Sequence, residues 1–164
     1  MLFRSGCLIV LGTTGSSGQG HETTFATLVE QVLGIPAEKV IYRAGDHGVP
    51  LVGNGTEGAR TLYGAGSAIT ALCRQIIERI HALRLERGES PDTPLDLVEW
   101  IRSLDPLSRS RLSSEGVAKS GATFPNGCHI AELEIDPLTG VTEVIQYVSV
   151  DEDRKSTRLN SSHA

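Results

Sequence analysis

Leu8-Ile9-Val10-Leu11 is a short unbroken apolar run, the pattern of a buried strand. Further on, apolar Phe25, Leu28, Val29, Val32 and Leu33 fall on one side of a helical wheel and predict a helix over 23–33. Gly34 stands where a C-terminal cap belongs, and Ile35-Pro36 stops the helix. Val40-Ile41-Tyr42 reads as a second strand, ending at Gly45-Asp46-His47-Gly48. Leu62, Ala65, Ile69, Leu72, Ile76, Ile80 and Leu83 recur at three- and four-residue steps, the buried stripe of a long helix. Gly64 and Gly66 near its start suit close backbone packing or the approach of a ligand. Residues 87–94 form a polar break, Leu95 to Leu104 a short helix around Trp100, and Pro106 to Gly121 has no clear pattern. The clearest β signal comes last. Residues 129–135 alternate, Pro137-Leu138-Thr139-Gly140 turns, and Val141 to Val150 alternates again, predicting a hairpin with one face buried. The sum is an α+β chain of strand-loop-helix units with a C-terminal β-hairpin.

Two glycine-rich loops open the two main helices. The first is Gly15-Ser16-Ser17-Gly18-Gln19-Gly20, followed by His21-Glu22-Thr23-Thr24. A strand, a glycine turn and a helix start in that order let backbone N–H groups crowd around an anion, helped by the positive end of the helix dipole. A Walker A loop is excluded because no Lys follows its last glycine, the first Lys being Lys39. The order G-x-x-G-x-G is also not the dinucleotide fingerprint G-x-G-x-x-G. What remains is a polar loop with the Gln19 amide at its apex, able to donate and accept together, which suits a ligand such as a pterin. The alternative is a plain strand-to-helix connection. The second loop, Gly53 to Thr61, adds the hydroxyls of Thr56 and Thr61 and the Arg60 guanidinium, suited to phosphate oxygens. A surface or interdomain ion pair is the competing role for Arg60. Two such half-sites fit a pyrophosphate-linked cofactor better than one.

Both ends change how composition is read. Asp153 to His163 resembles the in-frame translation of a sequencing adapter, and Met1 to Ser5 the same adapter read from the opposite strand. Residues 1–5 and 153–164 are therefore set aside as non-native tails, leaving 6–152 as a partial domain of a longer protein. The chain carries a formal charge of −5; the tails hold Arg4, Arg154, Lys155 and Arg158 against Asp153, a net +3, so the remainder carries −8. An acidic chain without a basic stripe argues against nucleic acid and anionic membranes as partners. No apolar run reaches the length of a membrane span. Cys7, Cys73 and Cys128 lack metal-ligand spacing and suit a reducing cytoplasm, each read as a buried small hydrophobe.

Three blocks, GSSGQGHETTFATLVEQVLGIPAEKV at 15–40, GDHGVPLVGNGTEGARTLYGAGSA at 45–68 and TFPNGCHIAELEIDPLTGVTEVIQYVSVD at 123–151, resemble the molybdopterin-binding large subunit of the molybdenum hydroxylases. That family takes in xanthine dehydrogenase, aldehyde oxidase and aerobic carbon monoxide dehydrogenase. The resemblance covers about half of the chain and leans toward the bacterial carbon monoxide dehydrogenase-like branch. It implies that Gln19, Gly20, His21 and Thr24 lie beside the molybdenum–pterin unit, and that Thr56, Arg60 and Thr61 bind the phosphate and nucleotide part. Ala59 stands where many members have Ser, His47 where Thr is usual, and 85–122 matches no pattern of the family.

The resemblance further implies a molybdopterin cofactor carrying molybdenum, expected as the cytosine dinucleotide. It implies an iron–sulfur subunit with 2Fe-2S and an FAD subunit as partners, and oxidative hydroxylation of an aldehyde, N-heterocycle or CO. The family's general base sits in a Gly-Glu-Gly-type segment that this sequence lacks, so no catalytic residue is assigned and the chain alone is expected to be inactive. Glu132 and Glu134 are expected on a solvent face, and neither His21 nor His129 has metal-ligand spacing. A stand-alone anion- or nucleotide-binding module, or an inactive translated fragment, are the alternatives.

Overall fold

The computed structural model describes residues 1–4, 6–45, 48, 51–56, 58, 60–90, 93–119, 121 and 126–151. Asp46, His47, Ala59, the first three residues of the third block and the 153–164 tail lie outside the described residues.

The apolar run becomes β2 (Cys7–Gly12), whose Leu8, Ile9 and Val10 are all buried. It runs parallel to β3 (Val40–Ala44), with Leu8 opposite Val40 and Gly12 opposite Ala44. Parallel neighbours need a crossover, and α1 (His21–Leu33) supplies it, giving a βαβ unit. Gly34 ends α1 at φ 71°, its N–H donating to the Glu30 carbonyl at 2.8 Å; only a residue without Cβ adopts that conformation freely. Phe25, Ala26, Val29 and Leu33 form the helix face that packs on the sheet and on α2 (Thr61–Glu86). Ile69, Cys73, Ile76, Ile80 and Leu83 are the buried positions of the α2 stripe; Leu62, Ala65 and Leu72 are half-buried. Burying each large side chain here contributes about 1.5–3 kcal/mol.

Two short helices close the far side. Asp96 caps α3 (Leu97–Ser103) by accepting from the Glu99 N–H at 3.0 Å, and buried Trp100 donates from Nε1 to Glu89 at 2.7 Å. Asp105 caps α4 (Pro106–Ser110), accepting from Leu107 and Ser108 N–H. The Arg109 guanidinium donates to the Ile101, Arg102 and Leu104 carbonyls, tying the end of α3 to α4.

Residues 2–4, within the stretch set aside at the start, form β1 (Leu2–Arg4), antiparallel to β2, and Met1 is buried. Two features differ from the sequence reading. The hairpin of β4 (Gly127–Ile135) and β5 (Thr142–Asp151) is present, but every one of its residues is exposed, so no face is buried. Of the cysteines only Cys73 is buried; Cys7 is half-buried and Cys128 exposed. No described helix is long and apolar enough to cross a membrane.

Candidate functional site

The parallel pair β2–β3 ends, at Gly12 and Ala44, on the side where both glycine-rich loops leave the sheet. Ligands of parallel sheets bind outside the carboxyl ends of the strands, because there the loops and the helix N-termini converge. A cleft of about 600 Å³ opens at this edge. Its floor is the end of β2 and Tyr42 of β3. One wall is Gly53-Asn54-Gly55 and the first turns of α2 from Arg60 to Ala68, and the other is the extended stretch Gly116 to Lys119.

Close packing fixes the loops to the strand ends. A Cβ on Gly12 would sit 2.9 Å from Tyr42 Cε2, and one on Gly53 would run into the Thr13 side chain, so both positions require glycine. The Tyr42 hydroxyl donates to the Thr14 carbonyl at 2.9 Å and lies 2.6 Å from Thr14 Oγ1. Burial of Tyr42 raises its phenol above the ordinary value of 10.0, outweighing its hydrogen bonds to Thr14. Thr56 joins the two loops: its Oγ1 donates to the Gly15 carbonyl at 2.6 Å.

Of the seven residues singled out in the sequence, Arg60 and Thr61 line the cleft, with Thr61 buried at the start of α2. Thr56 faces the first loop. Gln19, Gly20, His21 and Thr24 gather at the N-terminus of α1 and do not line the cleft. Gly20 holds φ 70°, turning the chain into the helix with no side-chain cap, and its carbonyl accepts from the Thr24 N–H at 3.0 Å. The Gln19 Oε1 accepts from the Ser17 N–H, which leaves the amide nitrogen of Gln19 as the donor of that side chain. His21 is fully buried and stacks on Phe25 at 5.4 Å, which in turn meets Tyr42 at 4.8 Å. Both His21 ring nitrogens lack a hydrogen-bond partner among the described residues. Buried polar atoms are nearly always paired, so this unmet donor and acceptor suit a polar group brought by a ligand or by another segment.

Sequence reasoning missed Thr14, Tyr42 and the 116–119 wall. Thr14 carried a usable signal, as a hydroxyl directly before the first loop. The other two come from far along the chain and had none.

The donor set fits a phosphate-bearing cofactor. Among the described residues the cleft wall carries two cations, Arg60 and Lys119, the hydroxyls of Thr13 and Thr61, and no carboxylate, on a chain of net charge −5, while the Thr14 and Tyr42 hydroxyls are engaged with each other and with the Thr14 carbonyl. Among the described residues no acidic side chain lines the cleft, which suits an anionic ligand.

Comparison with known proteins agrees. The sequence profile of the molybdopterin cofactor-binding domain matches residues 2–153. The chain is 28% identical over 173 residues to the nicotine 6-hydroxylase large subunit of Paenarthrobacter nicotinovorans, covering 90% of this chain and 21% of that protein. It is 27% identical to the carbon monoxide dehydrogenase large chain of Hydrogenophaga pseudoflava, over 95% of this chain and 22% of that one. Among solved structures, a Cu,Mo-CO dehydrogenase in the carbon monoxide reduced state superposes with TM-score 0.67 at 25% identity, over 87% of this chain and 21% of the other. Quinoline 2-oxidoreductase from Pseudomonas putida 86, at TM-score 0.62 and 24% identity over 87% of this chain and 21% of that one, shares the fold. The chain thus spans about a fifth of the length of these relatives. With the profile covering nearly every residue, and glycine loops beside a cleft lined by no carboxylate among the described residues, the chain belongs to the molybdopterin cofactor-binding domain family.

Proposed function

We propose that the chain is part of the catalytic subunit of a molybdenum hydroxylase, with its second loop holding the phosphate and nucleotide portion of the cofactor and its first loop lying beside the pterin. The observation that carries this reading is the wall of the cleft, cationic and hydroxyl-rich without a carboxylate among the described residues. Arg60 offers a forked donor to phosphate oxygens, and Thr61 adds its hydroxyl at the start of α2. Thr56 holds the loops together. Gln19 presents amide N–H donors to the pterin, Gly20 allows close backbone approach, and Thr24 and His21 complete the α1 end, His21 finding there the partner it lacks. The cytosine dinucleotide is the form of cofactor proposed.

When bound, the molybdenum cofactor supplies the oxidative hydroxylation chemistry. The chain's own residues bind and orient it. None of them is assigned as the general base. The substrate class is an aldehyde, an N-heterocycle or CO, in line with the nicotine and carbon monoxide that the relatives' names give. Iron–sulfur and FAD subunits are the proposed partners for electron exit, and the cytoplasm the compartment. Residues 6–152 are read as a partial cofactor-binding domain, and 1–5 and 153–164 as adapter-derived.

The test is titration of the purified chain with molybdopterin cytosine dinucleotide. Binding is expected, and Arg60→Ala should weaken it roughly tenfold or more, the worth of one charge-assisted hydrogen bond. Equal binding by Arg60→Ala, or turnover of aldehyde, purine or CO by this chain alone, would overturn the reading.

A further inference from the structure

Two hydroxyl groups reach backbone carbonyls of the first glycine-rich loop from outside it. Thr56 Oγ1 donates to the Gly15 carbonyl at 2.6 Å, and the Tyr42 hydroxyl donates to the Thr14 carbonyl at 2.9 Å. A carbonyl can only accept, so the single Tyr42 proton is spent there. The 2.6 Å contact between the two hydroxyls therefore runs from Thr14 Oγ1 to the Tyr42 oxygen. Two consecutive peptide groups are oriented by these bonds. In a trans peptide the carbonyl and the following N–H point to opposite sides, so holding the carbonyls of Thr14 and Gly15 also sets the N–H groups of Gly15 and Ser16.

The electrostatic consequence is direct. A carbonyl oxygen facing an anion repels it, whereas a loop with its carbonyls turned onto hydroxyls leaves its N–H groups for the ligand. Thr56 is exposed and Tyr42 buried, so one hold is made at the surface and the other in the interior. Tyr42 is itself fixed by its ring packing on Phe25 at 4.8 Å.

We propose that Thr56 and Tyr42 are positioning residues, which promote anion binding by holding the Gly15 and Thr14 carbonyls of the first loop rather than by bonding to the ligand. This rests on the reading of the two glycine-rich loops as half-sites of one phosphate-bearing cofactor, Gly15 and Ser16 directly following Thr14 of the cleft lining.

The experiment pairs two measurements on the wild-type chain, Thr56→Val, Thr56→Ser and Tyr42→Phe. One is millisecond amide hydrogen exchange over residues 15–20 without ligand, and the other is calorimetric affinity for inorganic pyrophosphate. Thr56→Val should raise exchange in the loop about fivefold and weaken pyrophosphate by a similar factor, as loss of one modest hydrogen bond implies. Thr56→Ser, which keeps the hydroxyl, should restore both to within about twofold. Tyr42→Phe keeps the ring packing and should act like Thr56→Val. Weaker pyrophosphate binding with unchanged exchange would make Thr56 a direct ligand contact and overturn the proposal. Faster exchange with unchanged binding would reduce both residues to structural roles and overturn it as well. A wild-type chain that takes up no pyrophosphate would instead sink the reading of the cleft, while unchanged exchange in Thr56→Val would sink the loop-holding role whatever binds.

Discussion

The β2–β3 pair and the β4–β5 hairpin both carry strand signals, the hairpin the clearer one, and meet opposite fates. Leu8, Val10, Val40 and Tyr42 are buried under α1, whereas Ile130, Leu133, Val144, Val148 and Val150 are all 40% exposed or more. In the hairpin, Cys128 and Ile130 pair with Val150 and Val148, and Leu133 pairs with Val144. Successive positions of a strand face opposite sides, so Ile130 and Leu133 lie on different faces of β4. A register shift between Glu132 and Leu133 keeps apolar residues opposite one another across that change. The difference teaches that alternation fixes pairing and register, while burial needs a second element to pack against, and among the described residues only the first sheet has one. What holds the hairpin is its backbone ladder, together with side-chain links such as His129 to Tyr147 at 2.8 Å and to Asp151 at 2.9 Å.

The largest effect should separate the two regions by truncation. Phe25→Ala and Ile76→Ala remove fully buried side chains and are expected to cost about 2–5 kcal/mol each in urea unfolding. Ile130→Ala and Val148→Ala remove exposed cross-strand partners and should cost roughly 0.2–1 kcal/mol. A hairpin variant as damaging as a core one would break the comparison, because it would mean that the hairpin packs against something in solution.

A smaller contrast uses one glycine from each region. Gly12→Ala places a Cβ 2.9 and 3.0 Å from ring atoms of buried Tyr42, so the ring or the strand must shift, at a cost of about 1–3 kcal/mol. Gly127→Ala meets chiefly the exposed Asp151 carboxylate, which can swing away at the expense of its contact with His129, and the Val150 carbonyl at 3.2 Å. Its expected cost is below about 1 kcal/mol, since an exposed side-chain contact of this kind contributes little. Matched thermal unfolding of the two variants gives the difference directly.

Much of this was legible in local pattern. The α1 helix, expected over 23–33, runs His21–Leu33 and ends at Gly34 as its sequence requires. The stripe from Leu62 to Leu83 lies within α2, and the short helix around Trp100 is α3. The Pro137–Gly140 turn sits between the two hairpin strands. The rest depends on contacts between distant residues, which periodicity does not encode. Tyr42 reaches Thr14 across 28 residues, and Thr56 reaches Gly15 across 41. For the same reason the sequence did not show that the Thr56 hydroxyl, expected beside the phosphate and nucleotide part of the cofactor, donates to the neighbouring first loop. The exposure of the hairpin was illegible because an alternating strand looks the same whether or not anything covers it.

The smallest effect at neutral pH, and the one that sharpens the comparison most cheaply, uses the cysteines. Cys73 lies fully buried on α2 and Cys128 exposed on β4. Burial pushes the Cys73 thiol from an ordinary 9.0 up to about 11. At pH 8 a disulfide reagent should label Cys128 at the rate of an open thiol, and Cys73 only as fast as the core opens. The same burial gives an alkaline stability slope. Below pH 9 the thiol is protonated in both states and contributes none. Between pH 9 and 11 the unfolded chain releases the Cys73 proton while the folded chain retains it, so stability falls as pH rises, and the loss levels off above 11. Cys73→Ala should remove that part of the slope, leaving the part that comes from Tyr42, whose raised phenol acts in the same direction at higher pH. Equal labelling of Cys73 and Cys128 at pH 8, or an alkaline slope unchanged in Cys73→Ala, would mean that the α2 stripe is as open as the hairpin.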